Sequence, residues 1–90
     1  MAEADLQEIG DYIAKDNPRR AESFIDELLD QAEKIAQMPT AYVAREDLAS
    51  GLRMCVHGRY LLFFRATGSV MRVERILHSR RDIDAEDFHD

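Results

Sequence analysis

The spacing of the apolar residues changes once along the chain, and this change limits the possible folds more than any other feature. From Ala21 to Ala36 the apolar residues recur every three or four positions, which is the pattern of an amphipathic helix. From Leu52 to His78 the chain is instead rich in β-branched, aromatic and aliphatic residues, in segments separated by short turns that contain glycine. A helical half followed by a strand half predicts an α+β domain.

The first half predicts two antiparallel helices. A shorter apolar stripe with helical spacing begins at Leu6 and is interrupted at KDNPRRAE. Within this break Asn17 suits a helix N-cap, and Pro18 suits the first helical position, where its missing N–H costs nothing. Pro39 ends the second helix. Because the link between the two helices is short, we expect a helical hairpin.

The second half predicts three antiparallel strands that follow one another as a meander. The strands are Leu52–Val56, Arg59–Ala66 and Val70–His78. Tight hairpin turns at residues 57–58 and 67–69 separate them. Residues 40–51 predict a loop with a short helical turn near Arg45–Leu48.

Alternation along the middle strand gives the sheet two different faces. One face carries Tyr60, Leu62 and Phe64, and the other carries Arg59, Leu61, Phe63 and Arg65. We expect the helical hairpin to cover the first face. The second face is both apolar and basic, so we expect it to be exposed for a binding partner.

Length and composition exclude several classes of protein. Ninety residues form one domain, residues 1–90, and 46% apolar with 33% charged residues is typical of a soluble globular chain. The acidic N-terminus does not resemble a signal peptide, and the longest run of large apolar residues, 61–64, is too short to span a membrane. Cys55 is the only cysteine, which favours a reducing cytoplasm. With scattered His57, His78 and His89 it does not predict a metal site, and we expect no cofactor.

The charge is distributed unevenly. Residues 1–50 hold five basic and twelve acidic side chains, a balance of −7. Residues 51–81 hold seven arginines against Glu74, a balance of +6, and residues 82–90 add five acidic groups. Arginine grips carboxylates or phosphates in fixed geometry, so the basic segment either meets an acidic partner or forms an ordinary solvated surface of the sheet.

Four stretches of the chain carry a family resemblance. They are ADLQEIGDYIAKDNPRRAESFIDELL, GLR, HGRYLLFFR and RILHSRRD. From Ala4 to about Asp82, their order and spacing resemble the RelE/ParE superfamily of toxins from bacterial type II toxin–antitoxin pairs, and ParE-type toxins most of all. The resemblance implies a helical hairpin packed on an antiparallel sheet. It also implies neutralisation by a ParD-like antitoxin and inhibition of DNA gyrase by the free toxin.

The chain departs from the family pattern at its start. Members usually open with a β-strand before the first helix, whereas this chain begins at Met1-Ala2-Glu3, already within the predicted helix. We therefore expect a sheet that lacks the usual first strand and has an unpaired edge. This departure bears on toxicity more than on the fold, and a non-toxic relic that still binds its antitoxin is one alternative.

The stretch ILHSRRD poses the main functional question. Cleavage of RNA without a metal needs a base, an acid and cations on the phosphate, and RelE-like members that cleave messenger RNA on the ribosome supply basic residues with a tyrosine or histidine near the C-terminus. Here His78 is the one candidate base. No tyrosine follows Tyr60, and the residues after Arg81 are acidic, which would repel a phosphate backbone. We therefore predict a non-enzymatic toxin without catalytic residues, and a ribosome-dependent endonuclease is the alternative.

The predicted role of the basic segment is to bind partners. The candidate partner-binding residues are Arg59, Leu61, Phe63, Arg65, His78, Arg80 and Arg81. We expect the antitoxin to lie across the helical hairpin and the exposed sheet face in a hetero-oligomer, with operator DNA contacted only through the antitoxin. Alternatively, Arg80 and Arg81 bind acidic groups of the chain itself.

Overall fold

The computed structural model describes residues 1–88, so His89 lies outside the described residues. Two helices are followed by a four-stranded antiparallel sheet, and none of the helices in this range is long and apolar enough to cross a bilayer. The elements are α1 (Ala2–Ala14), α2 (Pro18–Gln37), β1 (Val43–Ala44), β2 (Arg53–His57), β3 (Tyr60–Thr67) and β4 (Val70–His78), with 3₁₀ turns at Pro39–Ala41 and Ala85–Phe88. The predicted α+β class is confirmed.

The helical hairpin forms where the sequence signals place it. The Asn17 side chain accepts a hydrogen bond from the backbone N–H of Arg20 at 3.1 Å, and Pro18 is the first residue of α2. The two helices also approach closely at Gly10, because a Cβ atom there would lie 2.9 Å from Cδ1 of Ile25. The missing side chain of Gly10 therefore lets the end of the Ile25 side chain pack against α1.

The sheet has the order β1-β2-β3-β4, and its three long strands lie within one residue of their predicted bounds. The fourth strand was not predicted, because the two residues of β1 are too few to show an alternating pattern. They pair with the start of β2, and the N–H of Arg45 then donates to the carbonyl of Leu52 at 2.7 Å. The expected turn follows, with the N–H of Leu48 donating to the carbonyl of Arg45 at 3.0 Å.

The main core lies between the helices and the first face of the sheet, as predicted. Phe24, Leu28 and Ile35 of α2 are buried against Leu62 and Phe64 of β3. Burial of side chains of this size contributes about 1.5–3 kcal/mol each, so this layer holds the hairpin on the sheet.

The second face of the sheet is covered around Phe63, which corrects the prediction that this face is exposed. Phe63 has 0% of its surface exposed and lies under a second core formed with Leu48, Leu52 and Phe88. The rings of Phe63 and Phe88 lie 4.7 Å apart, centroid to centroid. The cover is a single 3₁₀ turn at Ala85–Phe88, which follows the last strand and buries Phe88.

A buried ion pair joins α1 to β4. Asp5 accepts two hydrogen bonds from Arg75, at 2.7 and 3.0 Å, and a third from the backbone N–H of Ile76 at 3.0 Å. Arg75 also donates to the carbonyl of Asp87 at 3.1 Å, which ties the C-terminal turn to the same cluster. Within residues 1–88 β4 pairs only with β3, so Asp5 satisfies one N–H on the open edge that we predicted.

Candidate functional site

Three polar aromatic side chains lie in one row across the sheet, at the end where β2 and β4 finish and β3 begins. His57 pairs with Tyr60 across the hairpin at Gly58, and Tyr60 pairs with His78 on β4. The Tyr60 and His78 rings are 5.1 Å apart, and Phe24 of α2 packs beneath at 5.3 Å from Tyr60 and 5.6 Å from His57. Gly58 has φ +59°, a conformation that glycine adopts readily and that the tight turn requires.

His57 is held by the second helix. Its Nε2 lies 3.2 Å from the carboxylate of Glu27, which also forms an ion pair with Arg20. The hydrogen bond from Arg20, and then that from His57, lowers the pKa of Glu27. The imidazole therefore links α2 to β2 and has one nitrogen already engaged.

His78 and Tyr60 present donors rather than a base. The Nδ1 atom of His78 accepts the backbone N–H of Arg80 at 3.1 Å, so the neutral ring carries its proton on Nε2. Burial raises the pKa of the Tyr60 hydroxyl, Tyr12 raises it further, and the charge of Arg59 opposes both. The phenol thus remains protonated near neutral pH.

Two arginines flank this row and have no side-chain partner among residues 1–88. The side chains of Arg59 and Arg80 are exposed and make no hydrogen bond or ion pair within residues 1–88. The backbone N–H of Ser79 donates to the carbonyl of Arg59 at 2.8 Å, which brings the β2–β3 turn against the end of β4. We call the surface of Arg59, Tyr60, His78 and Arg80 the basic strand end.

A second feature is an apolar groove between the helices and the sheet, which we call the helix–sheet groove. Its volume is about 130 Å³. The lining residues are Ala2, Glu3, Leu6, Leu28, Leu29, Ala32, Leu62, Val73 and Ile76. Leu29 is 54% exposed at this site, so an apolar surface remains open on the helical hairpin.

Comparison with known proteins decides the family. The model of the ParE toxin of the type II toxin–antitoxin system parDE matches residues 1–83. The chain belongs to this family. Nine chains of solved structures also match, and no curated protein does. One of those structures is described as a chromosomal ParDE toxin–antitoxin system from P. aeruginosa, with a TM-score of 0.73, 22% identity and coverage of 86% of each chain, and it supports the fold.

The structure separates the candidate partner-binding residues of this ParE-family chain into different surroundings. Arg59, His78 and Arg80 come together at the basic strand end. Arg81 instead binds the carboxylate of Asp87 at 2.6 Å, so the acidic C-terminal turn is its partner, as in the alternative from the sequence. Neighbouring arginines in ILHSRRD therefore have different surroundings.

The remaining three candidates lie along the covered face of the sheet. Leu61 is half-buried beside the second core, and Phe63 is inaccessible within it. Arg65 donates to the carbonyl of Ser50 at 3.1 Å and pairs with Glu74 at 3.3 Å. As the chain is folded here, Phe63 has no surface to offer a partner, and Arg65 already binds groups of its own chain.

The sequence analysis missed His57 and Tyr60 as members of a shared site. A signal for them was available: a two-residue turn at Gly58 and Arg59 makes these side chains cross-strand partners on one face. Within residues 1–88 no three His, Cys, Asp or Glu side chains are grouped where they could hold a metal ion. What the basic strand end offers chemically is a set of hydrogen-bond donors.

Proposed function

We propose that this ParE-family chain is neutralised by a ParD-like antitoxin and, when free, acts by binding and inhibiting DNA gyrase. The match to the ParE toxin family over residues 1–83 supports this proposal most strongly. Membership of a family of toxins from parDE pairs implies an antitoxin partner of the ParD kind. We infer gyrase as the target from the resemblance of the sequence to ParE rather than to RelE.

The helix–sheet groove supports a docking site for the antitoxin. A volume of about 130 Å³ accommodates one large apolar side chain, and the exposed Leu29 adds apolar surface beside it. The outer face of α2 is acidic, with Glu22, Asp26 and Asp30 exposed. An amphipathic helix with one apolar anchor and basic flanks fits this surface. Because the second sheet face is covered around Phe63, the antitoxin site that we propose is limited to the helical hairpin and the open edge of β4.

A pair of matched substitutions tests this site. Ala32→Arg would fill the groove, whereas Ala36→Arg makes the same change at an exposed position of the same helix. We expect Ala32→Arg to weaken binding of the antitoxin at least about tenfold, since hot-spot truncations at buried anchors have effects of this size or more, and Ala36→Arg to leave it unchanged. Equal binding by both variants, with normal melting temperatures, would rule out the groove as the site.

The non-enzymatic mechanism is supported by how the row of aromatic side chains is engaged. His57 is bound to Glu27, and Nδ1 of His78 accepts a backbone N–H. In the neutral form of His78 the nitrogen left open is therefore the protonated Nε2, which is a donor, whereas activation of a 2′-hydroxyl requires an unprotonated atom.

The messenger RNA endonuclease remains a second candidate because His57, Tyr60 and His78 do lie in one row beside two arginines that have no partner in the described part of the chain. Expression of the chain alone in cells separates the two functions. We expect double-strand DNA breaks and intact messenger RNA. Specific cleavage of messenger RNA on ribosomes by the purified protein, abolished by His78→Ala, would establish the endonuclease instead.

A further inference from the structure

We propose that the basic strand end is a docking surface for an acidic segment of a protein, in which carboxylates meet Arg59 and Arg80 together. This inference deepens the proposed function and rests on it where the partner is taken to be the target of the toxin. It differs from the sequence prediction, which also counted Arg81 among the partner-binding residues, because Arg81 is already bound to Asp87.

The surroundings of the seven arginines of residues 51–81 single out this surface. Four have side-chain partners within the chain: Arg53 donates to the carbonyl of Tyr42, Arg65 to that of Ser50, Arg75 binds Asp5 and Arg81 binds Asp87. The three without a partner in residues 1–88 are Arg59, Arg72 and Arg80. Two of these three project from the same end of the sheet, where the backbones of Ser79 and Arg59 are hydrogen-bonded.

The polar groups at the same end of the sheet are also suited to an anion. In the neutral ring of His78 the free nitrogen, Nε2, carries a proton, because Nδ1 accepts the N–H of Arg80. The Tyr60 hydroxyl stays protonated, and the charge of Arg59 acts on it. The surface therefore presents several hydrogen-bond donors to a carboxylate: two arginine guanidinium groups, a phenol O–H and an imidazole N–H. These donors lie on strands and turns that are fixed before binding.

The charges around the surface favour a protein over a nucleic acid. The exposed Asp82, Asp84 and Glu86 follow directly after Arg81, and the whole chain has a net charge of −6. A continuous phosphate backbone leaving the site would run into this negative field. A short acidic segment needs only the local positive patch, and its apolar neighbours can rest against the rings.

The test compares two sets of variants made in the whole chain. The first is the double change Arg59→Gln and Arg80→Gln. The matched control is Arg72→Gln, which alters the third arginine without a partner in residues 1–88, near the other end of β4. Binding is measured to purified gyrase, to a labelled peptide of alternating Glu and Ser residues, and to a labelled single-stranded RNA. Thermal melting and antitoxin binding of each variant check the fold.

We expect the double variant to melt at the wild-type temperature and to bind the antitoxin normally. Its affinity for gyrase and for the acidic peptide should fall at least about tenfold. The affinities of Arg72→Gln should stay within about twofold of wild type. Unchanged affinity in the double variant would overturn the proposal. So would binding of the RNA in place of the peptide, lost in the double variant. If wild type binds the acidic peptide through these arginines but does not bind gyrase, the surface stands and the proposed target fails.

Discussion

The buried pair of Asp5 and Arg75 provides the sharpest test of how this fold is held together. The two side chains are 9% and 11% exposed, and Asp5 also satisfies the backbone N–H of Ile76. Asp5→Ala would leave the Arg75 guanidinium buried without its counter-charge, and breaking one side of a buried pair costs about 3–5 kcal/mol. The stranded N–H of Ile76 adds to this loss. A domain of this length is stable by roughly 4–14 kcal/mol in total, so the change removes a large part of it.

The assay is thermal unfolding followed by circular dichroism. A loss of about 3 kcal/mol lowers the Tm of a domain of this size by roughly 12–24 °C. Asp11→Ala is the matched control, since it removes an exposed aspartate from the same helix and should change the Tm by no more than a few degrees. The double change Asp5→Leu and Arg75→Met should melt higher than Asp5→Ala, because an apolar pair leaves no unpaired charge. A Tm for Asp5→Ala close to wild type would refute this account of the pair.

Three further predictions concern the link between α2 and the sheet, the second core, and His78. The pKa of Glu27 is lowered from its ordinary 4.5, chiefly by the hydrogen bond from Arg20. The ionised carboxylate therefore contributes its full stabilisation above about pH 4.5, and this contribution is lost as the pH falls through the lowered pKa. Glu27→Gln should lose less stability than wild type on acidification, as measured by urea unfolding at several pH values. Phe88→Ala should cost about 3 kcal/mol by opening the second core, and an unchanged urea midpoint would show that the C-terminal turn does not stabilise the sheet. Messenger RNA on ribosomes should stay uncleaved in cells that express wild type and in cells that express His78→Ala, as northern analysis would check.

The elements that the sequence predicted well are those whose signals are local. The N-cap at Asn17, the proline at the first position of α2 and the glycine turns depend on a few neighbouring residues. The start of α2 and the turns between the three long strands followed from these signals. β1 was not predicted because its pairing with β2 depends on the conformation of residues 45–52 and not on its own two residues.

The arrangement of the second sheet face depended on contacts that are distant in sequence. The alternation of β3 places Phe63 on that face, but it gives no indication that Phe88 covers it from 25 positions further along the chain. The sequence pattern of an apolar sheet face is the same whether a partner or the chain's own C-terminal turn covers that face. Burial of Phe63 therefore had to come from the structure.

The arginines illustrate the same limit for the candidate site. Composition shows a segment in which every basic side chain is arginine, and this is equally compatible with internal ion pairs and with a binding surface. The structure assigns internal partners to four of the seven, including Arg65 and Arg81, which the sequence analysis counted among the partner-binding residues. An arginine already paired inside the chain must break that contact before it can bind a partner, whereas Arg59 and Arg80 lose only water and side-chain freedom. The unpaired arginines are therefore the ones on which an acidic partner gains most, and their position at one end of the sheet gives that partner a defined place to bind.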